Sequence, residues 1–160
     1  MLKTFNFNKM PIVDVVNEII IDAINNGASD IHFDPSEDML RVRVRIDGVL
    51  QNYSSIPNSY KNNLITRIKI LASMNITETR LPQDGAIKSV LKGINLDLRV
   101  SCLPTKRGEK IVIRILDYSM SLRGIEYLYF NESNYQKILK MLAAPYGIIL
   151  VTGATGSGKS

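Results

Sequence analysis

The stretch LRVRVRIDGVL, residues 40–50, alternates apolar and charged side chains with a period of two. In an extended chain this alternation places the two kinds of side chain on opposite faces, with Leu40, Val42, Val44 and Ile46 against Arg41, Arg43 and Arg45. The pattern predicts a β-strand with one face in a core and a ladder of guanidinium groups on the other. No aromatic residues alternate with the arginines, as base stacking would require, so we interpret the ladder as a solvated or subunit-contacting face.

Helical and strand patterns lie on both sides of this strand. Apolar residues at helical spacing predict one amphipathic helix from Pro11 to the stop at Asn25-Asn26-Gly27, and a second over residues 60–73. Alternating patterns predict further strands, which start at Ile31 and cover residues 86–91, 95–101 and 111–116, with a Lys92-Gly93 turn. Strands joined by short turns, together with two helices, indicate an antiparallel α+β unit.

The second part of the chain is patterned differently. Residues 117–124 are the predicted linker, because they are polar, end in glycine and separate the two patterns. A boundary near Tyr118 gives domains at residues 1–118 and 119–160. Residues 135–143 are a predicted helix, capped by Asn131 or Ser133 and ended by Pro145. The stretch GIILV, residues 147–151, predicts a fully buried strand of the parallel type.

The predicted strand leads into GATGSGKS, residues 153–160, which matches the phosphate-loop pattern G-x-x-x-x-G-K-[ST] in full. Glycines let the backbone curl so that its N–H groups converge on phosphate oxygens. Lys159 would reach the β- and γ-phosphates, and the Ser160 hydroxyl would bind Mg²⁺. The predicted residues for binding ATP are Gly153, Thr155, Gly156, Ser157, Gly158, Lys159 and Ser160, with Ser160 also on the metal.

A complete nucleotide site needs more than the loop. The helix that presents its N-terminus to the phosphates, an acidic residue for the metal and the rest of a parallel sheet are not found in these 160 residues. We therefore interpret the chain as a fragment of an ATPase, and expect that by itself it does not turn over ATP.

Composition is that of an ordinary globular protein, with 45% hydrophobic and 22% charged residues. The net charge of +5 is spread along the chain without a long basic run, so it permits nucleic acid as a partner but does not indicate it. The single cysteine, Cys102, cannot form an internal disulfide and is interpreted as a core residue in a reducing compartment. No apolar run reaches the roughly 18 residues of a membrane span, and the first ten residues lack a signal-peptide pattern. We expect a cytoplasmic protein.

Three polar residues receive structural interpretations. His32 is the only histidine and has no second metal ligand at useful spacing, so it is predicted to be a hydrogen-bonded structural residue. Asp34 and Asp47 precede Pro35 and Gly48, and are predicted to cap turns rather than to act as general bases.

Five ordered segments of the chain resemble a known family. They are ASDIHFDP (28–35), VRVRIDGVL (42–50), ILASMNITETRLPQDG (70–85), DLRVSCLPTKRGEKIVIRILD (97–117) and GIILVTGATGSGKS (147–160). Together they resemble the type II secretion and type IV pilus assembly ATPases over nearly the whole chain.

The resemblance implies a PAS-like N-terminal domain over residues 1–118, followed by the first strand and phosphate loop of a RecA-like ATPase domain. It also implies a homo-hexamer at the cytoplasmic face of the inner membrane, which uses ATP to drive pilin or pseudopilin assembly through a platform membrane protein. The further N-terminal domain common in the family has no counterpart here. A short form, such as those that serve competence pili, or a chain trimmed at both ends would explain this.

In the resembling family, arginines of the N-terminal domain approach the nucleotide phosphates when the domains close. Arg99 in DLRVS, Arg114 in VIRIL and Arg80 in RLPQDG stand at matching positions. The family usually continues PQDGR, whereas this chain has Ala86 there, and Lys88 is the candidate substitute two residues on. The simpler alternative for Arg99 is a solvated side chain, or one paired with Asp97 on the same strand face.

Three functions remain open from the sequence. The first is a fragment of a motor ATPase. The second is a stand-alone binding module that docks onto a platform protein or a neighbouring subunit without catalysis. The third, supported only by the positive charge, is a nucleic-acid-binding protein, and the lack of aromatic residues beside the arginines argues against it.

Overall fold

The alternating stretch at residues 40–50 forms most of a β-hairpin in the computed structural model, which describes residues 2–116 and 124–153. Strand β2 (Met39–Ile46) pairs with β3 (Val49–Pro57) in antiparallel fashion. Asp47 and Gly48, with φ of 50° and 78°, form the turn between them. Positive φ at both central residues is what a type I′ hairpin turn requires.

The hairpin belongs to a six-stranded sheet in which every strand pair is antiparallel. Its order across the sheet is β3-β2-β1-β6-β5-β4. The remaining strands are β1 (Ala28–Pro35), β4 (Gln83–Leu91), β5 (Ile94–Thr105) and β6 (Gly108–Ile115). Pairing between β1 and β6 joins the two three-stranded halves.

Two helices, α1 (Ile12–Asn25) and α2 (Asn58–Leu71), pack against each other and against the sheet. Helix α1 buries its apolar stripe, and α2 buries Leu64, Ile65 and Ile68. The inward residues of the strands complete the core, among them Phe33, Leu40, Val42, Leu98, Val100 and Ile113. The predicted antiparallel sheet with helices is confirmed: this is an α+β fold.

The chain divides into two units, Met1–Leu116 and Asp117–Ser160. In the second, the described residues form a short 3₁₀ helix, Ile125–Leu128, and α3 (Glu132–Leu142). The Asn131 side chain caps α3 by accepting a hydrogen bond from the backbone N–H of Asn134 at 2.9 Å. The interpretation of the two units as PAS-like and RecA-like domains stays a prediction, and the linker residues 117–123 lie outside the described residues.

The predicted strand at residues 147–151 is not formed. These residues have no strand pairing and their side chains are exposed. A buried parallel strand is held by neighbouring strands, and the described residues of the second unit include no other strand with which it could pair. Within the described ranges, no helix combines the length and apolar character needed to cross a membrane.

Candidate phosphate-binding arginine site

A row of five residues crosses the sheet on the face opposite the helices. The register places them directly opposite one another on β4, β5, β6, β1 and β2, in the order Ala86, Arg99, Arg114, Asp30 and Arg45. We call these five residues the arginine row. It brings together two of the arginines predicted from the resemblance, Arg99 and Arg114, although they are fifteen positions apart in the sequence.

Alternation along the strands explains why both arginines point away from the core. On β5, Leu98 and Val100 are buried while Arg99 between them is exposed. On β6, Ile113 is buried and Arg114 beside it is exposed. A change of one residue in register would exchange these faces, so burial of the apolar neighbours determines the direction of both guanidinium groups.

Asp30 is the acidic partner of the row. Its carboxylate accepts from Arg114 Nε at 3.1 Å and lies 3.3 Å from Arg45 Nε on the other side. Ser29 Oγ donates a further hydrogen bond of 2.8 Å. Burial by itself would raise the pKa of Asp30, but the hydrogen bonds from Ser29 and Arg114 hold that pKa below its usual value. Asp30 is therefore a carboxylate at neutral pH, and it orients Arg114 through one edge of the guanidinium.

Arg99 has no ion pair or hydrogen bond among residues 2–116 and 124–153. The predicted alternative, a pair with Asp97, is wrong: Asp97 lies 3.9 Å from Lys88, which is its cross-strand neighbour on β4. Arg99 instead faces Arg114, and like charges at directly opposed positions repel each other. An anion bound between them would relieve that repulsion.

An open cleft of about 610 Å³ lies over the two arginines. It has room for a phosphate chain, and two guanidinium groups can each offer paired N–H donors to phosphate oxygens. Ala86, which stands where the resembling family has an arginine, lies within the cleft, while Lys88 is not part of its lining. The lining residues are Asp84, Gly85, Ala86, Arg99, Val100, Ser101, Val112 and Arg114.

Arg80, the third predicted arginine, is placed elsewhere. It lies in the connection between α2 and β4, does not line the cleft, and has an 89% exposed side chain. Among the described residues, the acidic group beside it is that of Glu78, at 3.9 Å. The arginine row and Arg80 are therefore separate features of the first unit.

Asp34, on the same strand as Asp30, forms two ion pairs beside the arginine row. Asp34 contacts Arg43 at 2.7 Å and Lys110 at 3.0 Å, so the predicted turn-capping role of Asp34 is wrong. It belongs to β1, where the cross-strand cations bind its carboxylate. Arg43 and Arg45, members of the predicted ladder, are thus held by β1 carboxylates.

His32 lies between Asp30 and Asp34 on the same face of β1. The prediction that its ring is hydrogen-bonded is wrong: in the described structure neither ring nitrogen has a partner, although both are shielded from solvent. Burial lowers the pKa of His32 more than the neighbouring carboxylates raise it, so the ring is neutral at pH 7. The described residues contain no cluster of side chains suited to a metal ion.

Sequence reasoning missed Asp30 as part of the site. The signal was present, because Asp30, His32 and Asp34 alternate on one face just before the arginines of residues 41–45. Pairing β1 with β2 as a hairpin would have placed carboxylates opposite guanidinium groups.

Of the predicted phosphate loop, only Gly153 lies among the described residues, and it has no regular structure there. Thr155, Gly156, Ser157, Gly158, Lys159 and Ser160 lie outside them. Their assignment to ATP and Mg²⁺ stays a prediction that rests on the motif.

Comparison with known proteins gives consistent matches along the chain. The family profile of the type II/IV secretion system proteins matches residues 6–160. The type IV pilus assembly ATPase PilB of Pseudomonas aeruginosa is 46% identical over 151 residues, covering 94% of this chain. The type II secretion system protein E of Xanthomonas campestris pv. campestris is 46% identical over 153 residues, covering 96% of it. The chain spans only 27% of the length of each of these relatives.

Solved structures support the fold. The pilus retraction motor PilT with bound ADP superposes with a TM-score of 0.61 at 23% identity, covering 89% of this chain and 39% of the PilT chain. The Legionella pneumophila ATPase DotB gives 0.52 at 19% identity, covering 92% and 39% of the two chains. At such identities the likeness concerns the fold alone. The profile match and the relatives confirm the resemblance noted from the sequence: the chain belongs to the type II/IV secretion system protein family.

Proposed function

We propose that this chain is part of a hexameric ATPase that powers assembly of a type IV pilus or a type II secretion pseudopilus by ATP hydrolysis. The relatives that carry those names, and the phosphate-loop motif at residues 153–160, support the proposal. The proposed location is the cytoplasmic face of the inner membrane, with a platform membrane protein as partner. The observation that carries the nucleotide part of the proposal is the opposed pair Arg99 and Arg114 over an open cleft.

The arginine pair has the chemistry that a phosphate chain needs. Phosphoryl transfer is accelerated mainly by positioning and by stabilising negative charge on the phosphate oxygens. Asp30 holds Arg114 by Nε, and among residues 2–116 and 124–153 the remaining N–H groups of Arg114 have no hydrogen-bond partner. Arg99, which has no acidic partner in the described ranges, contributes a full positive charge. We assign both residues to nucleotide phosphates, and assign Lys159 and Ser160 of the loop to the phosphates and Mg²⁺ of the same nucleotide.

The proposal is tested by ATP turnover of the full-length protein that the gene encodes. Arg99→Ala should lower turnover on the order of a thousandfold, as removal of an arginine finger does in other phosphate-loop enzymes, with a much smaller effect on nucleotide affinity. Arg99→Lys should recover little, because lysine is a mobile point charge without paired donors. Lys159→Ala should abolish turnover. Lys106→Ala, an exposed cation outside the cleft, is the matched control.

Near-normal turnover in the Arg99→Ala variant would remove Arg99 from the site. A full-length protein that shows no ATP turnover under any condition would favour the second candidate, a non-catalytic docking module. That candidate draws on Ile76 and Leu81, whose side chains are large, apolar and exposed near Arg80. Substituting them would then weaken binding to the platform protein or neighbouring subunit.

A further inference from the structure

Lys69, near the end of α2, has its side chain almost completely buried, with 1% exposed. Its ammonium group donates to Glu109 Oε1 on β6 at 2.7 Å and to the backbone carbonyl of Glu78 at 2.7 Å. The same carboxylate oxygen accepts from Cys102 Sγ on β5 at 3.1 Å. One buried charge thus connects α2, two strands and the segment that follows α2.

Stability alone does not account for this lysine. Removing an ammonium group and a carboxylate from water costs free energy that their attraction often only balances, and apolar replacements of similar volume are frequently as stable. An apolar side chain could fill the space and remove the need for Glu109. It could not donate a hydrogen bond to the Glu78 carbonyl, and that hydrogen bond connects the core to the segment between α2 and β4.

The Glu78 carbonyl belongs to the segment of residues 74–82, which we call the Arg80 loop. Gln83, the first residue of β4, also donates to this carbonyl, at 2.9 Å. The Glu78 carboxylate in turn accepts from the backbone N–H of Arg80 at 2.6 Å. Arg80 follows two residues after the Glu78 carbonyl, which is held by the buried ammonium group of Lys69. The exposed Arg80 side chain therefore projects from a backbone that is fixed in place.

We propose that Lys69 is a positioning residue: its buried ammonium group fixes the Arg80 loop, and so directs the Arg80 side chain. The consequence for nucleotide rests on the proposed function. The ordering of the loop does not depend on it.

The first test is amide hydrogen exchange in the 160-residue chain. Lys69→Met should speed exchange in residues 75–81 about tenfold or more, because a charge-assisted hydrogen bond is lost, while residues of β1 and β6 that face the core keep their protection. Since Lys69→Met leaves Glu109 buried without its cation, Lys69→Met/Glu109→Gln is the second variant. It should recover the thermal midpoint but leave the loop in fast exchange.

Recovery of slow loop exchange in the double variant would overturn the proposal, because Lys69 would then serve only to neutralise Glu109. Unchanged loop exchange in Lys69→Met would overturn it as well. Glu109→Gln alone is the matched control and should keep the loop protected.

The second test is ATP turnover by the full-length protein carrying Lys69→Met/Glu109→Gln, Arg80→Ala, or all three changes. If Lys69 acts through Arg80, the triple variant should lose no more turnover than Arg80→Ala, whereas independent effects would multiply and count against positioning. If Arg80→Ala has normal turnover, the phosphate contact that the family resemblance implies for Arg80 fails. Loop exchange still decides the role of Lys69 in that event.

Discussion

Arg99 and Arg114 are placed opposite each other although their guanidinium groups carry the same charge. In the described structure only Arg114 has an acidic partner, and it shares Asp30 with Arg45. Two charges without full compensation on a surface cost a little folding stability. Residues kept at such a cost are typical of sites that bind an opposite charge.

Because of this arrangement, the two arginines should differ in their effect on stability. Arg99→Ala should leave the free energy of unfolding unchanged or raise it, by up to about 1 kcal/mol, since repulsion is removed and no partner is lost. Arg114→Ala should lower it, because Asp30 loses a hydrogen bond. Urea unfolding of the 160-residue chain checks both. A larger loss in Arg99→Ala than in Arg114→Ala would contradict the assigned ion pairs.

The β1 carboxylates make stability depend on pH. Burial alone would raise the pKa of Asp34, but hydrogen bonds from Lys110 and Arg43 lower it, as those to Asp30 lower the pKa of that residue. Groups with a depressed folded pKa stabilise the fold above their unfolded pKa of about 4, and this contribution is lost as the pH falls through the folded value.

The unfolding free energy should therefore decrease between pH 5 and pH 2, and Asp34→Asn should make that decrease smaller. The measurement is urea unfolding across this range. Asp38→Asn, at an exposed neighbouring position, is the control and should follow the wild-type profile. An Asp34→Asn profile parallel to wild type would show that these ion pairs do not persist in solution.

At the scale of elements, the contact between the end of α2 and the start of β4 depends on a single glycine. A methyl group built on Gly85 would overlap the backbone carbonyl oxygen of Ala72, which cannot move as a flexible side chain would. The absence of a side chain at Gly85 lets the helix end lie directly against the strand. The same junction determines where the Arg80 loop begins and ends.

Gly85→Ala should consequently destabilise the first unit by about 2 kcal/mol, because the helix and strand must separate. Thermal and urea unfolding measure the loss. Ser89→Ala, an exposed position on the same strand, should change stability by less than about 0.5 kcal/mol. Equal effects of the two substitutions would mean that the junction is looser than described.

The elements that sequence reasoning found are those whose burial leaves a periodic pattern. Strand β2 was predicted because its inward residues are apolar and its outward residues are charged. Strand β3 was missed because only Ser54 and Ile56 of VLQNYSSIP are buried. This polar strand lies at the edge of the sheet and shows no alternation of apolar and polar residues. The burial of Lys69 was missed because a charged residue within a helix normally lies on the solvated face. Arg99 and Arg114 were found through the resemblance, but their mutual register depends on strand pairing that one sequence does not reveal.

At the scale of the whole molecule, the buried core belongs to the first unit. Every residue of the hydrophobic core cluster lies between Val15 and Ile113, and the described residues 124–153 contribute none. A cooperative folding unit needs a core of its own, so this distribution makes the first unit the part that determines stability.

Residues 1–116 should accordingly fold alone, with a thermal midpoint within a few degrees of that of the 160-residue chain and the same cooperativity. Circular dichroism during heating checks this. A chain of 1–116 that melts far lower, or without a cooperative transition, would show that the remaining residues contribute to the core after all.

The arginine row also limits how genes of this kind can change. Its five residues lie on five different strands, and they align only if the number of residues in each strand stays the same. A codon inserted or deleted in the middle of β6 would turn Arg114 toward the helices and bring Ile113 or Ile115 to the surface, damaging core and site together. Length variation among descendants of this gene should therefore accumulate in the turns, at Lys92-Gly93 and at Lys106-Arg107, while the strands between them change by substitution alone.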